Sequence, residues 1–293
     1  MYENGFILFL IIIQFCLVFP LFFSKQINLR KIISLSEITL TISGTGNQKI
    51  LSDSICKKEG ADDNYIFEQL PDIILVNEVR QEIKGKIVYN LSQEINNVTM
   101  IWNSSITNCN CMFSDLSNII SFDFSNFETS QVTNMLYMFS KCSSLTSLDL
   151  TSFNTEKVID MYHMFYRCTK LEIVNQNFKA PLAVDITGIF DYCIKLKSID
   201  LSNFEPNSVL FMALMFYNCM SLEKVNLSNF SAKKSLFIDN LFNGCISLRT
   251  IDLSYFKTSN VIGMGNLFFG CKKFRYLDLS SFDFSSVTNM GNM

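Results

Sequence analysis

With 293 residues, 48% hydrophobic and 17% charged, and only four Pro and eleven Gly, the chain has a core-forming composition that excludes a disordered or collagen-like polymer. The formal net charge is −3, and Lys and Arg are scattered rather than gathered in a stripe with aromatics, which argues against nucleic acid as a partner. Twenty-eight Phe against a single Trp is the compositional anomaly.

Residues 6–23 form an apolar run broken only by Gln14 and Pro20. As a helix it would extend about 27 Å, close to the hydrocarbon thickness of a bilayer. Residues 1–24 therefore read as a signal peptide cleaved near Ser24, with a retained signal anchor as the alternative. Glu3 ahead of the run and Phe22 before the cleavage point fit a signal poorly. Lys25, Arg30 and Lys31 would hold the downstream side of a retained anchor towards the cytosol. Membrane contact is expected only through residues 6–23, if they are uncleaved. Sequons at Asn90, Asn97, Asn103, Asn226 and Asn229 are candidate N-glycosylation sites and point independently to a secreted or cell-surface protein.

Residues 25–108 read as a small β-rich module that caps the C-terminal remainder of the chain. Glu37–Ile42 alternates polar and apolar side chains, and Ser43-Gly44-Thr45-Gly46-Asn47 supplies a turn. Ile73–Val76, Lys86–Leu91 and Val98–Trp102 are further expected strands, and 57–63 an expected charged loop.

From residue 109 to 293 the chain repeats itself. Phe113, Phe139, Phe165, Phe190, Phe216, Phe242 and Phe268 are 26 residues apart, with one step of 25. Such a period marks a repeat architecture in which each unit buries its apolar side only against its neighbours. One half of the unit reads Leu145-x-x-Leu148-x-Leu150-x-x-Phe153, copied at Leu196–Phe204, Leu222–Phe230, Leu248–Phe256 and Phe274–Phe282. Alternation makes this half a strand with Leu inward and Asp outward. The other half spaces Val132, Met135, Met138, Phe139 and Cys142 along one face, as in a short helix. The expected fold is thus α/β: a leucine-rich-repeat solenoid of about seven coils, strand plus short helix in each, the last incomplete. The coil through Val174–Phe178 is one residue short and is expected to kink locally without breaking the stack. Met290–Met293 matches Met161–Met164 and stops short of the next Phe, so the chain reads as a fragment or as one that needs a partner at that end.

Six of the ten Cys are repeat positions: Cys142, Cys168, Cys193, Cys219, Cys245 and Cys271. Their spacing matches no zinc pattern, and they share a face with Met and Phe, which favours free buried thiols. Stacking at about 4.8 Å also permits disulfides between neighbouring coils. Cys109 and Cys111, with Cys56 as a third candidate, are the better disulfide positions.

The outward strand position reads Asp123, Asp149, Asn175, Asp200, Asn226, Asp252 and Asp278, a candidate contact stripe. One reading is a solvated face whose carboxylates serve local turns; calcium or a basic partner is the other. His163, the only histidine, has no sequence neighbour with which to do acid–base chemistry, and a packing or surface role is expected.

The string Leu148-Asp149-Leu150-Thr151-Ser152-Phe153-Asn154-Thr155, continuing through Val158 to Met161-Tyr162-His163-Met164-Phe165-Tyr166-Arg167-Cys168, resembles the repeat of BspA-type leucine-rich-repeat surface proteins of bacteria and protists, and Leu277–Met290 resembles it more closely still. The resemblance implies a secreted or surface protein with an adhesive or ligand-binding role, and it carries over no catalytic residue. Expected, then, is a non-enzymatic protein without cofactor or metal that presents its repeats to a protein or glycan, the alternative being a structural coat or spacer.

Overall fold

Alternation of polar and apolar residues around Ile38, Leu40 and Ile42 folds as β1 (Ser36–Ser43), whose apolar side chains are fully buried. The computed structural model describes residues 36–58, 64–83 and 88–293. The apolar run 6–23, part of the expected 57–63 loop and the start of the expected Lys86–Leu91 strand lie outside the described residues.

β1 sits between two antiparallel partners. One is β8 (Ile95–Trp102), with Thr39 opposite Thr99 and their hydroxyls 2.9 Å apart. The other is β9 (Ile119–Asp123), with Leu40 opposite Phe122. With β5 (Ile73–Val76) and β6 (Val79–Gln81) they form a five-stranded sheet of order β6-β5-β8-β1-β9. β9 belongs to the first repeat, so the N-terminal sheet ends on a repeat strand and the two share one core. Two small two-stranded sheets accompany this one. β2 (Gly46–Lys49) pairs with β7 (Val88–Leu91), and β3 (Cys56–Lys57) with β4 (Asn64–Tyr65).

Further along, β10 (Ser147–Leu150) runs parallel to β11 (Ile173–Gln176), and β12 (Ser198–Asp200) to β13 (Lys224–Asn226). A chain of single parallel bridges then links every repeat to the next: Asn108 to Asn134, Asp160, Asp185, Phe211, Phe237, Gly263 and Asn289.

The expected α/β leucine-rich-repeat solenoid, a strand plus a short helix per coil, does not form. Among the described residues there is no helix; the regular structure is strands in five small sheets, and the apolar-spaced segments are runs of tight turns. The backbone bonding shows why. From Met135 to Cys142, the N–H groups of Met138, Ser140 and Cys142 bond three residues back, to Met135, Tyr137 and Phe139. Those of Met135, Tyr137, Phe139 and Lys141 instead leave for the next repeat, reaching the carbonyls of Asp160, Tyr162, Met164 and Tyr166 at 2.6–2.9 Å. A helix would keep every N–H within its own segment. Tyr137 (φ 55°) and Lys141 (φ 60°) are moreover left-handed, which no right-handed helix admits. Three-residue turns bury the same i, i+3 positions as a helix face, so apolar spacing alone did not separate the two.

The short repeat keeps its register through a side chain. Asp160 to Asp185 and Phe165 to Phe190 are still bridged and stacked. The missing residue falls between Asn175 and Phe178, where Gln176 accepts the N–H of Phe178 at 2.6 Å and donates to the carbonyl of Asp200.

Two aromatic ladders fill the interior. Phe113, Phe139, Phe165, Phe190, Phe216, Phe242 and Phe268 stack at ring separations of 5.2–5.8 Å. Phe204, Phe230, Phe256 and Phe282 form the second, at 5.6–6.2 Å. The repeat cysteines are free. Each thiol donates to the carbonyl of a ladder Phe one repeat earlier, from Cys142 to Phe113 at 3.2 Å through Cys271 to Phe242 at 3.1 Å. The disulfide lies elsewhere, between Cys56 and Cys111, while Cys109 is buried and free.

Phe216 is 1% exposed between Phe190 and Phe242; Phe216→Ala will lower unfolding free energy by about 3–5 kcal/mol in urea titration. Burial pushes the Cys168 thiol up to about 12. Cys142, Cys168, Cys193, Cys219 and Cys245 will therefore resist Ellman's reagent until the chain unfolds, and the partly exposed Cys271 will react first among the ladder thiols.

Candidate functional site

The strand face carries the expected stripe. Asp123, Asp149, Asn175, Asp200, Asn226, Asp252 and Asp278 are all exposed, with Asp149 in register beside Asn175 and Asp200 beside Asn226. Six of the seven have a local duty. Asp123, Asp149, Asp200, Asn226, Asp252 and Asp278 each accept, through their side-chain oxygen, the N–H two residues on, at 2.8–3.1 Å. These bonds close the turn that ends each strand. They also favour the charged carboxylate: the Thr151 hydroxyl and N–H hold Asp149 below its ordinary pKa, and the Ser254 and Ser280 N–H groups do the same for Asp252 and Asp278.

Two positions earlier on the same face stand Ser147, Ile173, Ser198, Lys224, Thr250 and Tyr276, which vary in chemistry from repeat to repeat. Ile173 and Tyr276 are 52% and 76% exposed. Sequence reasoning passed over this row because it has no repeated residue type. With the stripe it lines a shallow hollow of Ser198, Asp200, Lys224, Asn226, Thr250 and Asp252. A second, more polar hollow lies around Asn177, Asn203 and Asn229, where the Asn203 amide donates to Asn177 at 2.9 Å. Hydroxyl, amide and ammonium groups in such hollows suit a polar, uncharged or mixed-charge ligand.

All five sequon asparagines are exposed. Asn229 already donates its amide to the Ser202 carbonyl at 2.9 Å, and Asn226 closes a turn. A glycan on the Asn229 nitrogen would displace that bond. Asn90, Asn97 and Asn103 lie on the N-terminal sheets or just after them.

The most unusual cluster is on the turn side. Lys58 lies 3.0 Å from Asp160 and 2.5 Å from Asp185, and its ammonium is 5.0 Å from the centre of the Tyr162 ring. Burial opposes the Lys58 charge, but Asp185 and Asp160 outweigh it and raise its pKa. Tyr137 donates to the Lys57 carbonyl at 3.1 Å, and the Cys56–Cys111 disulfide ties down the same segment.

Beside it, His163 stacks on Tyr137 at 5.6 Å and meets Tyr162 and Tyr166 edge-on at 4.3 and 4.9 Å. Its ring occupies the space over Gly188, where a Cβ would collide with it, and Gly188 also takes a φ of 60°. His163 Nδ1 lies 3.5 Å from Asp191 Oδ2. Burial lowers the His163 pKa to about 4 and raises that of Asp191 to about 7, Arg167 opposing the latter. His163 is 8% and Asp191 5% exposed, so this pair is sealed in the wall rather than open to a substrate. The packing role expected of His163 is what the geometry provides; its carboxylate partner, one repeat away, was invisible in the sequence. Among the described residues no group of three His, Cys, Asp or Glu converges as metal ligands.

A family model described as Mycoplasma protein of unknown function, DUF285, matches residues 85–198 and again residues 184–293. The chain belongs to that family. The two matches run in tandem over the turn-and-strand repeats, so the DUF285 unit is itself made of several 26-residue repeats. No curated protein and no solved structure matches the chain. Among the described residues no helix is long and apolar enough to cross a membrane, and the run 6–23 lies outside them.

The His163–Asp191 pair makes a signed pH prediction. Unfolded, His163 takes up a proton near its ordinary 6.5 and Asp191 near 3.8; folded, Asp191 does so near 7 and His163 near 4. Between about 4 and 6.5 each state holds one proton, and the pair adds no pH dependence. Asp191→Asn leaves a buried histidine of lowered pKa, whose contribution is present above 6.5 and lost as pH falls towards about 4. His163→Asn leaves a carboxyl of raised pKa, whose contribution is present below 3.8 and lost as pH rises towards about 7. Urea midpoints measured across this range will slope in opposite directions for the two variants, by up to about 1.4 kcal/mol per pH unit.

Proposed function

We propose that this DUF285 protein is a non-enzymatic, exported repeat protein, akin to the BspA-type surface proteins its repeat string resembles, that uses its strand face to bind a protein or glycan at the cell surface. The observation that carries the proposal is the pairing of two rows on that face. One row, Asp and Asn, is held in the same turn-closing role along the repeats. The row beside it, from Ser147 to Tyr276, has no hydrogen-bonding duty common to the repeats and changes chemistry at each step, as a recognition surface does. A uniform spacer would need no such variation.

Export is supported by the Cys56–Cys111 disulfide, which suits an oxidising compartment, and by the exposed sequons at Asn90, Asn97 and Asn103. Tagged full-length protein will be digested by protease added to intact cells. Where the producing cell glycosylates, Asn103→Gln will remove a glycosidase-sensitive mobility shift that Asn229→Gln leaves in place. Protein that stays inside the cell, unglycosylated and protease-protected, overturns the export reading. On a glycan and cell-binding array, Lys224→Glu with Tyr276→Ala will weaken binding about tenfold or more without changing the urea midpoint, while unchanged binding removes the strand face from the proposal.

A further inference from the structure

Three successive repeats lack the side-chain acceptor that the others carry at the bridge position. At the bridge position, Asn108, Asn134, Asp160, Asp185 and Asn289 each accept, through a side-chain oxygen, the N–H two residues on at 2.8–3.2 Å. Phe211, Phe237 and Gly263 stand in that place and offer no such oxygen; the N–H of Gly265 bonds Asp239 instead at 2.8 Å, and Phe211 and Phe237 are 38% and 41% exposed. Two of these three replacements are exposed aromatics in successive repeats, which marks a surface under another demand.

The residues just before them form a second apolar row. Ile159, Val184, Leu210, Leu236 and Ile262 are joined N–H to carbonyl at 2.8–3.0 Å, one per repeat. At strand spacing the row is about 19 Å long. Leu210 and Phe211 are consecutive and both exposed, and Phe237 lies one repeat on, which makes an apolar ridge along the repeats. Two residues earlier, past the buried Val158 and Ser235, stand Lys157 and Lys234; Lys233 adjoins Lys234, and all three are exposed. Lys179 is paired with Glu156 at 3.4 Å, and Glu205 and Asp283 are exposed acids of the same flank. Contiguous apolar surface of this kind is uncommon on a free monomer and marks an interaction site.

We propose that this ridge docks on an anionic lipid bilayer, with Phe211, Phe237, Leu210 and Leu236 entering the boundary between headgroups and acyl chains and the lysines meeting lipid phosphates. Exposed apolar side chains flanked by lysines suit the boundary between anionic headgroups and acyl chains. A second copy of the chain would set lysine against lysine, whereas an anionic leaflet complements them. The proposal concerns a different face from the strand rows and stands or falls separately from them.

The test uses the full chain with an environment-sensitive fluorophore on Phe237→Cys, the unsubstituted chain labelled in parallel as background, and a strand-face control on Asp149→Cys. Because residues 6–23 can hold any variant on a membrane, the readout is local immersion rather than sedimentation. With vesicles of equal parts phosphatidylcholine and phosphatidylglycerol, the probe at 237 will shift to the blue and be shielded from aqueous quencher, and the probe at 149 will not. Pure phosphatidylcholine, or Lys233→Glu with Lys234→Glu, will weaken the shift about tenfold or more. A second labelling site at Leu236→Cys, combined with Phe211→Asn and Phe237→Asn, places in those repeats the residue type found at the same position in Asn108, Asn134 and Asn289; it will abolish the shift while thiol protection of the Cys ladder shows the fold intact. A probe at 237 that stays aqueous while the chain is vesicle-bound overturns the proposal. So does a shift produced by polyglutamate and not by vesicles, which would make the partner an acidic polypeptide.

Discussion

Half of the backbone donors in each turn segment are satisfied by the next repeat. The N–H groups of Met135, Tyr137, Phe139 and Lys141 end on carbonyls around Asp160–Tyr166, and the same pattern recurs from Cys109 to Asn266. A buried N–H left without an acceptor costs about 1–3 kcal/mol, so a repeat detached from its neighbour would carry several such penalties. Register between repeats therefore cannot drift. The one-residue deletion is absorbed in the strand exit by Gln176, outside the turn ladder, and the stacked Phe165 and Phe190 continue across it. The left-handed positions arise from the same constraint. Alternate carbonyls must point to alternate sides, and residues such as Tyr137, His163 and Leu214 take positive φ to achieve it, at about 1–2 kcal/mol each. Asn240, Asn266, Gly244 and Gly270 meet the same demand with residue types that suit it.

Inside that frame, Phe and Cys divide the work. Parallel ring stacking at 5.2–5.8 Å fills the space between repeats with one residue type, which accounts for the excess of Phe. Cys is small enough to sit beside it, and its thiol gives a second donor to the Phe carbonyl that already accepts the Cys N–H of its own repeat, as at Phe139. A disulfide between neighbouring ladder cysteines would remove two such donors. Among the described residues, the one disulfide instead joins β3 to the first repeat, where Lys58 and Tyr137 fasten the same segment.

The candidate surfaces were unevenly legible. The Asp and Asn stripe was visible because its residue type recurs, and it recurs because each member closes a turn. That makes it part of the scaffold of the strand face. The row from Ser147 to Tyr276, free to vary, left no pattern to find. Phe211 and Phe237 likewise looked like two more Phe in a Phe-rich chain. Only the bridge ladder shows that they occupy positions where Asn or Asp stands in five of the other six places. His163 and Asp191 are 28 residues apart and meet because one repeat lies on the next.

The amino-acid sequence by itself determined the repeat, its period, the inward set of Leu, Met, Phe and Cys, the strand positions around Leu148 and Ile199, and the location of the short repeat, because burial of apolar side chains reads directly as periodicity. Tertiary structure decided what the other half of each repeat is. A face with residues every third position is buried equally well by a helix or by successive turns, and the choice rests on where the backbone N–H groups find acceptors. Those acceptors lie in the neighbouring repeat, about 26 residues away, and no local pattern of side chains records them.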